Sequence, residues 1–143
     1  MKKILIAIFI LLFTYSFSNA QKKIETTLIP KEIIKNFNTK FTSVEKVVWR
    51  KIDVLYEAEV SSGNKVFYAT YEANGNLIET LIEMKVSDLP AEVVTGVHNL
   101  FSSAKIKTAA LVEQSSDEPL YIVQFKYKGK QIEITFDKNG KQA

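Results

Sequence analysis

The spacing of apolar residues changes along the chain, and each change predicts a new structural element. After Pro30 the apolar residues lie three or four positions apart, as on one side of an α-helix: Ile33, Ile34, Phe37 and Phe41. Across residues 46–86 apolar and polar residues alternate, which is typical of strands with one buried face. This region predicts four strands, with turns at residues 61–64 and at Asn74-Gly75, a pair that favours a hairpin.

The same order of elements occurs again about 60 residues later. Residues 29–34, Ile-Pro-Lys-Glu-Ile-Ile, are matched by residues 89–94, Leu-Pro-Ala-Glu-Val-Val, and the Asn-Gly pair recurs at residues 139–140 after a five-residue insertion. In both copies the proline suits the first helical position, and the glutamate lies in the first turn, where the helix dipole favours it. We therefore predict two repeats, residues 28–86 and 88–143.

The second copy contributes a helix and three further strands, at residues 106–112, 120–128 and 131–136. Two helices that cover one face of an antiparallel sheet make an α+β arrangement. We therefore expect an α+β fold with one antiparallel sheet of about seven strands and both helices on one face. Residues 21–143 then form a single domain. We expect Trp49 in its core beneath the first helix; the alternative is a position at a rim, where a tryptophan would anchor a partner.

The first 20 residues follow a different pattern. Lysines at positions 2 and 3 precede an unbroken apolar run over residues 4–13, and residues 18–20, Ser-Asn-Ala, are small enough for a signal peptidase. The pattern predicts a signal peptide, residues 1–20, cleaved before Gln21; the alternative is an uncleaved N-terminal anchor. Because an apolar run of about ten residues is short for a bilayer span, we expect a periplasmic or secreted protein without a stable membrane anchor.

Cleavage also changes the charge balance. Residues 1–20 hold two of the 19 basic residues and none of the 16 acidic ones, so the net charge falls from +3 to +1. No basic cluster remains and Arg50 is the single arginine, so we expect no nucleic-acid partner. The absence of cysteine excludes disulfides, thiolate metal sites and cysteine nucleophiles, and the single histidine, His98, excludes sites with two histidine ligands.

The ordered motifs resemble those of the PepSY-like family, also described as β-lactamase-inhibitor-like. The shared pattern is a Pro-x-Glu start, a helix ending in Phe, a Val-x-x-Val-x-Trp strand, a tyrosine-bearing hairpin and an Asn-Gly turn. The first repeat carries it at Pro30, Glu32, Phe41, residues 44–49, Tyr56, Tyr71 and Asn74-Gly75. The second repeat carries it at Pro90, Glu92, Phe101, Tyr121, Phe136 and Asn139-Gly140.

This resemblance implies a small exported bacterial protein whose fold is similar to that of the tandem-repeat β-lactamase inhibitor protein. It also implies a relationship to PepSY domains, which are suspected of inhibiting peptidases. No inhibitory residue carries over from the family to a position of this sequence. The β-lactamase inhibitor protein is larger and contains disulfides, whereas this chain has no cysteine.

Three groups of residues invite a chemical interpretation, and each has a structural alternative. His98 could act as an acid, base or ligand, or could be a histidine at the solvent edge of its helix, as its counterpart Asn38 suggests. Glu57 and Glu59 share a strand face about 7 Å apart, as a catalytic pair would, but exposed strands often carry glutamates. Residues 137–140, Asp-Lys-Asn-Gly, resemble part of a calcium loop but align with the predicted hairpin turn at residues 72–75. We predict no catalytic residue, metal site or cofactor, and no enzymatic activity.

The strand that carries Val66 and Tyr68 points to a binding surface instead. These two residues lie on the face opposite Phe67 and Tyr71, whereas the second copy has Gln131 and Glu133 at the same positions. The predicted surface comprises Val66 and Tyr68 with a polar rim of Glu57, Glu59, Gln124 and Lys126.

This surface would bind an extracytoplasmic protein or peptide. The structural alternative is that Val66 and Tyr68 are scattered surface hydrophobic residues. Two other functions remain open at this point. A periplasmic carrier of a small apolar ligand requires a cavity between helices and sheet, and a hydrolase requires converging polar residues.

Overall fold

The computed structural model describes residues 22–114 and 118–143, so the predicted signal peptide and the centre of the predicted loop at residues 113–118 lie outside the described residues. The described residues form two helices and eight strands. The helices are α1 (Lys31–Lys40) and α2 (Ala91–Leu100). The strands are β1 (Lys22–Ile24), β2 (Lys46–Ile52), β3 (Leu55–Ser62), β4 (Lys65–Tyr71), β5 (Leu77–Met84), β6 (Lys105–Gln114), β7 (Leu120–Tyr127) and β8 (Lys130–Asp137).

All eight strands belong to one antiparallel sheet, in which each strand pairs with its neighbours in sequence, from β1 to β8. The predicted α+β class is confirmed, with one more strand than the seven expected. The additional strand is β1, whose three residues are too few to reveal an alternating pattern. It precedes α1 and pairs with β2, just as β5 precedes α2 and pairs with β6. The strand β1 is therefore the counterpart of the end of β5.

The two helices begin and end alike. A short 3-10 turn precedes each one, and the carbonyl of Pro30 or Pro90 accepts hydrogen bonds from the amides three and four residues later. The prolines thus stand just before the first helical residue, one position earlier than predicted. Each helix ends where the amide of Phe41 or Phe101 donates to a carbonyl four residues back, at 2.8 Å in both cases. These shared ends confirm the tandem arrangement.

Both helices pack on the same face of the sheet. Across β4 to β8 the register aligns Phe67 with Ile82, Leu111, Tyr121 and Phe136, so these five side chains point to one side. Phe67 packs against the cluster beneath α1, and Phe136 is buried in the cluster beneath α2. The helices therefore cover one face along its whole width, and we call the opposite face of the sheet the far face.

Aromatic side chains fill the layer between the helices and the sheet. Trp49 is 3% exposed and lies edge-on to Phe37 of α1, with 5.2 Å between the ring centroids. Under α2, the ring centroids of Phe101 and Phe125 are 5.0 Å apart. The prediction that Trp49 belongs to the core is confirmed.

Candidate binding surface

The centre of the far face is apolar and buried. The register aligns Tyr68 of β4 with Leu81 of β5, Val112 of β6 and Leu120 of β7, and this row alternates with the row that faces the helices. Leu81, Ala110, Val112 and Ile122 are at most 4% exposed and pack together, with Tyr68 and Leu120 half-buried beside them. We call these six residues the far-face cluster.

A row of polar side chains runs beside the far-face cluster. In register across β2 to β6 it consists of Arg50, Glu57, Thr70, Glu79 and Gln114. Glu57 and Glu79 are each 4% exposed and Thr70 is 2% exposed. The buried Thr70 therefore has one buried carboxyl group on each side, that of Glu57 and that of Glu79, and the row lies next to an apolar surface.

Arg50 connects the two glutamates that could have formed a catalytic pair. Its guanidinium lies 3.5 Å from the nearer carboxylate oxygen of Glu57 and forms an ion pair with Glu59 through its other terminal nitrogen. Burial raises the pKa of Glu57 while Arg50 opposes that shift. Since one guanidinium holds both side chains, the arrangement is that of a charge network on a sheet surface.

Within residues 22–114 and 118–143, no basic side chain pairs with Glu79 as Arg50 does with Glu57. Burial raises the pKa of Glu79 to about 7, with Gln114 opposing the shift and Glu57 adding to it. Among the described residues, neither its Oε2 atom nor the hydroxyl of Thr70 has a hydrogen-bond partner. Buried polar atoms without partners are uncommon in folded proteins, because each one loses its bonds to water. The pair Thr70 and Glu79 is therefore the least satisfied part of the polar row.

Tyr68 stands where the polar row meets the far-face cluster. Its ring packs against the cluster, and its hydroxyl donates to the Oε1 atom of Glu83 at 3.3 Å. Burial and the nearby carboxylates of Glu83 and Glu59 raise the pKa of the phenol, so the hydroxyl stays protonated. The side chain thus offers an apolar surface with a polar tip.

The structure places all six predicted binding residues on the far face, but in two groups. Val66, Tyr68, Glu57 and Glu59 lie together on β3 and β4, where Glu59 is the register partner of Tyr68. Gln124 and Lys126 lie on β7, three strands away from β4 and so about 14 Å from it.

Gln124 is held in place by hydrogen bonds within its own patch. Its side-chain oxygen accepts from Thr108 at 2.9 Å, and its side-chain nitrogen donates to Glu133 at 2.6 Å. Lys126 is exposed on the same strand and has Gln131 as its register partner on β8. Gln124 and Lys126 therefore belong to a separate polar patch.

The residues at the centre of this surface were not predicted from the sequence. Leu81, Val112 and Ile122 were not assigned to the far face, and Thr70 and Glu79 were not considered as binding residues. The signal for the apolar ones lies in two uninterrupted apolar runs, residues 109–112 and 120–123, which indicate strands buried on both faces. Such runs show that both faces of a strand are apolar. They do not show which residues of the neighbouring strands lie beside it.

The structure places the other two candidates at an exposed helix position and in a turn. His98 is exposed on α2, as is Asn38 on α1. Asp137 caps a turn by accepting hydrogen bonds from the amides of Asn139 and Lys141, both at 2.9 Å. Within residues 22–114 and 118–143, no group of three or more histidine, aspartate or glutamate side chains is arranged to hold a metal ion. In the same ranges no helix is long and apolar enough to cross a membrane.

Comparison with solved structures gives the architecture a precedent. A BLIP-like protein (β-lactamase-inhibitor-protein-like) from Bacteroides fragilis NCTC 9343 is 17% identical, with a TM-score of 0.69 over 79% of this chain and 82% of that one. The fold is BLIP-like. A DUF2874 family protein from Bacteroides ovatus ATCC 8483 is similar at 13% identity, with a TM-score of 0.72 over 79% of this chain and 83% of that one.

A third similar structure is a protein of Bacteroides eggerthii DSM 20697 that is provisionally described as periplasmic. It is 13% identical and has a TM-score of 0.72 over 79% of this chain and 84% of its own length. None of the three is described as an enzyme. No protein-family model matches the chain, and no curated protein is significantly similar to it. The relationship to PepSY domains therefore stays a prediction, while the BLIP-like fold is established.

Proposed function

We propose that this protein is an exported, non-enzymatic binding module that holds a protein or peptide partner on its far face. The observation that carries the proposal is the far-face cluster on a sheet face that neither helix covers, with Tyr68 and Leu120 as its accessible members. Charged and polar side chains surround it, including Glu59 and Glu83. An apolar centre within a polar rim is the usual anatomy of a protein interface.

Tyr68 is the residue best suited to anchor such a partner. It is half-buried, so part of its ring stays accessible, and it already touches the apolar cluster. Tyrosine is enriched among the residues that dominate binding energy, because a rigid ring offers a large contact area and a hydroxyl. Val66 and Leu120 are half-buried on the same face and extend the accessible apolar area on either side.

Binding is favoured over catalysis and over transport of an apolar ligand by two features. Arg50 pairs with both Glu57 and Glu59, which makes the two carboxylates part of one charge network and not an acid–base pair. A carrier would use space between helices and sheet, and there Ile33, Phe37 and Trp49 are 0–4% exposed and packed against one another. Inhibition of an enzyme or peptidase by the far face is the specific form of binding that the BLIP-like fold suggests, and it rests on analogy of fold.

A site-specific cross-linking experiment tests the proposal. A photoreactive amino acid placed at position 68, on the far face, should capture a defined partner in cells, whereas one placed at Leu100, exposed at the end of α2, should not. With the captured partner purified, Tyr68→Ala should weaken binding by about 30-fold, and Leu100→Ala should change it less than twofold. Equal capture at both positions, or unchanged affinity of Tyr68→Ala with its melting temperature intact, would contradict the proposal.

Export is tested separately. Expressed in a bacterial host, the full chain should be recovered outside the cytoplasm with an intact mass that begins at Gln21. A recovered mass that still includes residues 1–20 would show that the segment is retained.

A further inference from the structure

The polar row of the far face holds one basic side chain, Arg50, against the two glutamates Glu57 and Glu79. Arg50 pairs with Glu57 and Glu59, and Glu79 is paired with no basic side chain in the described part of the chain. Two atoms there, the Thr70 hydroxyl oxygen and the Glu79 Oε2, are buried and find no hydrogen-bond partner in the part of the chain that the structure describes. Thr70 is 2% exposed. It lies between its register partners Glu57 and Glu79, and the backbone of each glutamate is one strand spacing, about 5 Å, from that of Thr70.

We propose that Glu57, Thr70 and Glu79 receive the side-chain ammonium group of a lysine from the partner. The proposal deepens the binding function argued above and rests on it. A lysine ammonium has three donors and no acceptor, and the three side chains offer three acceptors in adjacent positions on one face. The long apolar stem of lysine can cross the neighbouring half-buried surface while its charged end reaches the carboxylates.

The neighbouring residues define the rest of the recognised segment. Leu81 follows Glu79 by two positions on the far face of β5, so the far-face cluster begins directly beside the proposed ammonium position. An apolar residue next to the lysine would therefore lie over Tyr68, the accessible register partner of Leu81 in that cluster. The site thus fits a short partner segment in which lysine is flanked by apolar residues.

A partner lysine suits this position better than a metal ion or an arginine. The described residues provide no set of three ligands for a metal, and two carboxylates with one hydroxyl match a hydrogen-bond donor. Because the three acceptors are at most 4% exposed, the incoming group must be slender. The ammonium is a compact point charge with rotatable donors, whereas the guanidinium is a wide planar fork.

Titration with model peptides tests this inference without an identified partner. The mature chain labelled with ¹⁵N is mixed with acetyl-Leu-Lys-Leu-amide at millimolar concentrations, and chemical shifts are followed. We expect saturable shifts at the amides of Thr70, Glu79 and Leu81. The same peptide with Nε-acetylated lysine, which lacks the charge, should bind at least tenfold more weakly. The arginine peptide should also bind more weakly than the lysine peptide.

Two near-isosteric variants assign the contacts. Glu79→Gln should weaken the lysine peptide about tenfold and Thr70→Val about threefold. Glu133→Gln is the matched control, because Glu133 is a half-buried far-face glutamate that also has one oxygen without a partner, but it lies on β8. This control should bind the peptide within twofold of the unmodified protein.

The outcomes separate this inference from the broader function. Equal binding of lysine, Nε-acetyllysine and arginine peptides on the far face would overturn the ammonium site and leave the far-face function standing. Unchanged affinity in Glu79→Gln, or no far-face shift with the lysine peptide, would also overturn the ammonium site. Failure of the broader function would appear instead as equal cross-linking at positions 68 and 100.

Discussion

Gly96 of α2 lies directly against Gly140 in the turn that follows β8. A Cβ atom on Gly96 would overlap the carbonyl oxygen of Gly140, and a Cβ on Gly140 would overlap the carbonyl oxygen of Glu92. In the first repeat the equivalent of Gly96 is Asn36, whose side-chain nitrogen donates to the carbonyl of Gly75 at 2.9 Å. One repeat therefore joins its helix to its last turn by a side-chain hydrogen bond, and the other by direct contact between backbones.

The close contact predicts that Gly96→Ala destabilises the protein. Alanine favours a helix by about 1 kcal/mol over glycine, but here its methyl group has to displace the turn. We expect a net loss of about 1–3 kcal/mol in the free energy of unfolding, measured by urea denaturation. Thr95→Ala, at the exposed neighbouring position on α2, is the control and should stay within about 0.5 kcal/mol. A variant Gly96→Ala as stable as the natural protein would show that the turn moves freely.

The corresponding hydrogen bond in the first repeat predicts a smaller effect. Asn36→Ala removes the donor to the Gly75 carbonyl and should cost about 1 kcal/mol of unfolding free energy. Asn38→Ala changes the same residue type two positions along α1, where the side chain is exposed, and should cost less. The melting temperatures of the two variants provide the measurement. If both variants lose the same stability, the hydrogen bond from Asn36 to Gly75 makes no specific contribution.

The raised pKa of Glu79 predicts that the natural protein and the Glu79→Gln variant differ in stability by an amount that depends on pH. Because burial raises the folded-state pKa of Glu79 to about 7 from an ordinary value near 4.5, the folded protein binds this proton more tightly than the unfolded chain does. The stability that the proton contributes is complete below about pH 4.5 and is lost as the pH rises through 7.

Glu79→Gln should therefore match the natural protein near pH 4 and exceed its unfolding free energy by about 2–3 kcal/mol at pH 8. Urea denaturation across this pH range provides the measurement. Glu45→Gln, at an exposed position just before β2, is the control variant. A constant difference between Glu79→Gln and the natural protein at all pH values would contradict the assignment.

The complete burial of Leu81 predicts that the far-face cluster stabilises the fold in addition to forming a surface. Leu81→Ala should therefore cost about 2–4 kcal/mol of unfolding free energy. Leu28→Ala, at a position that is 68% exposed, should cost less than about 0.5 kcal/mol. If both variants melt at the temperature of the natural protein, the cluster makes no energetic contribution.

The sequence was sufficient to predict the α+β class and both helices, because the turn signals are local and each helix carries a clear apolar stripe. Asn74-Gly75 and Asn139-Gly140 form turns with positive φ at the glycines, as their residue types demand. The strand β1 could not be found, because its identity depends on pairing with β2.

The binding surface was predicted less completely, for the same reason. Alternation assigns Tyr68 and Glu59 to the far face, but it cannot show that Leu81 and Val112 become neighbours. That neighbourhood depends on the register of β5 and β6. The unpartnered hydroxyl of Thr70 is likewise a property of packing and has no signature in the sequence.

The strand order from β1 to β8 also has a kinetic consequence. Because every strand pairs with the strand that precedes or follows it in the chain, no pairing has to wait for a distant segment. The longest segments between paired strands are those that contain α1 and α2. Each of these helices packs against the two strands that its segment connects. The entropy of loop closure therefore stays low at every step, and folding can proceed rapidly from either repeat.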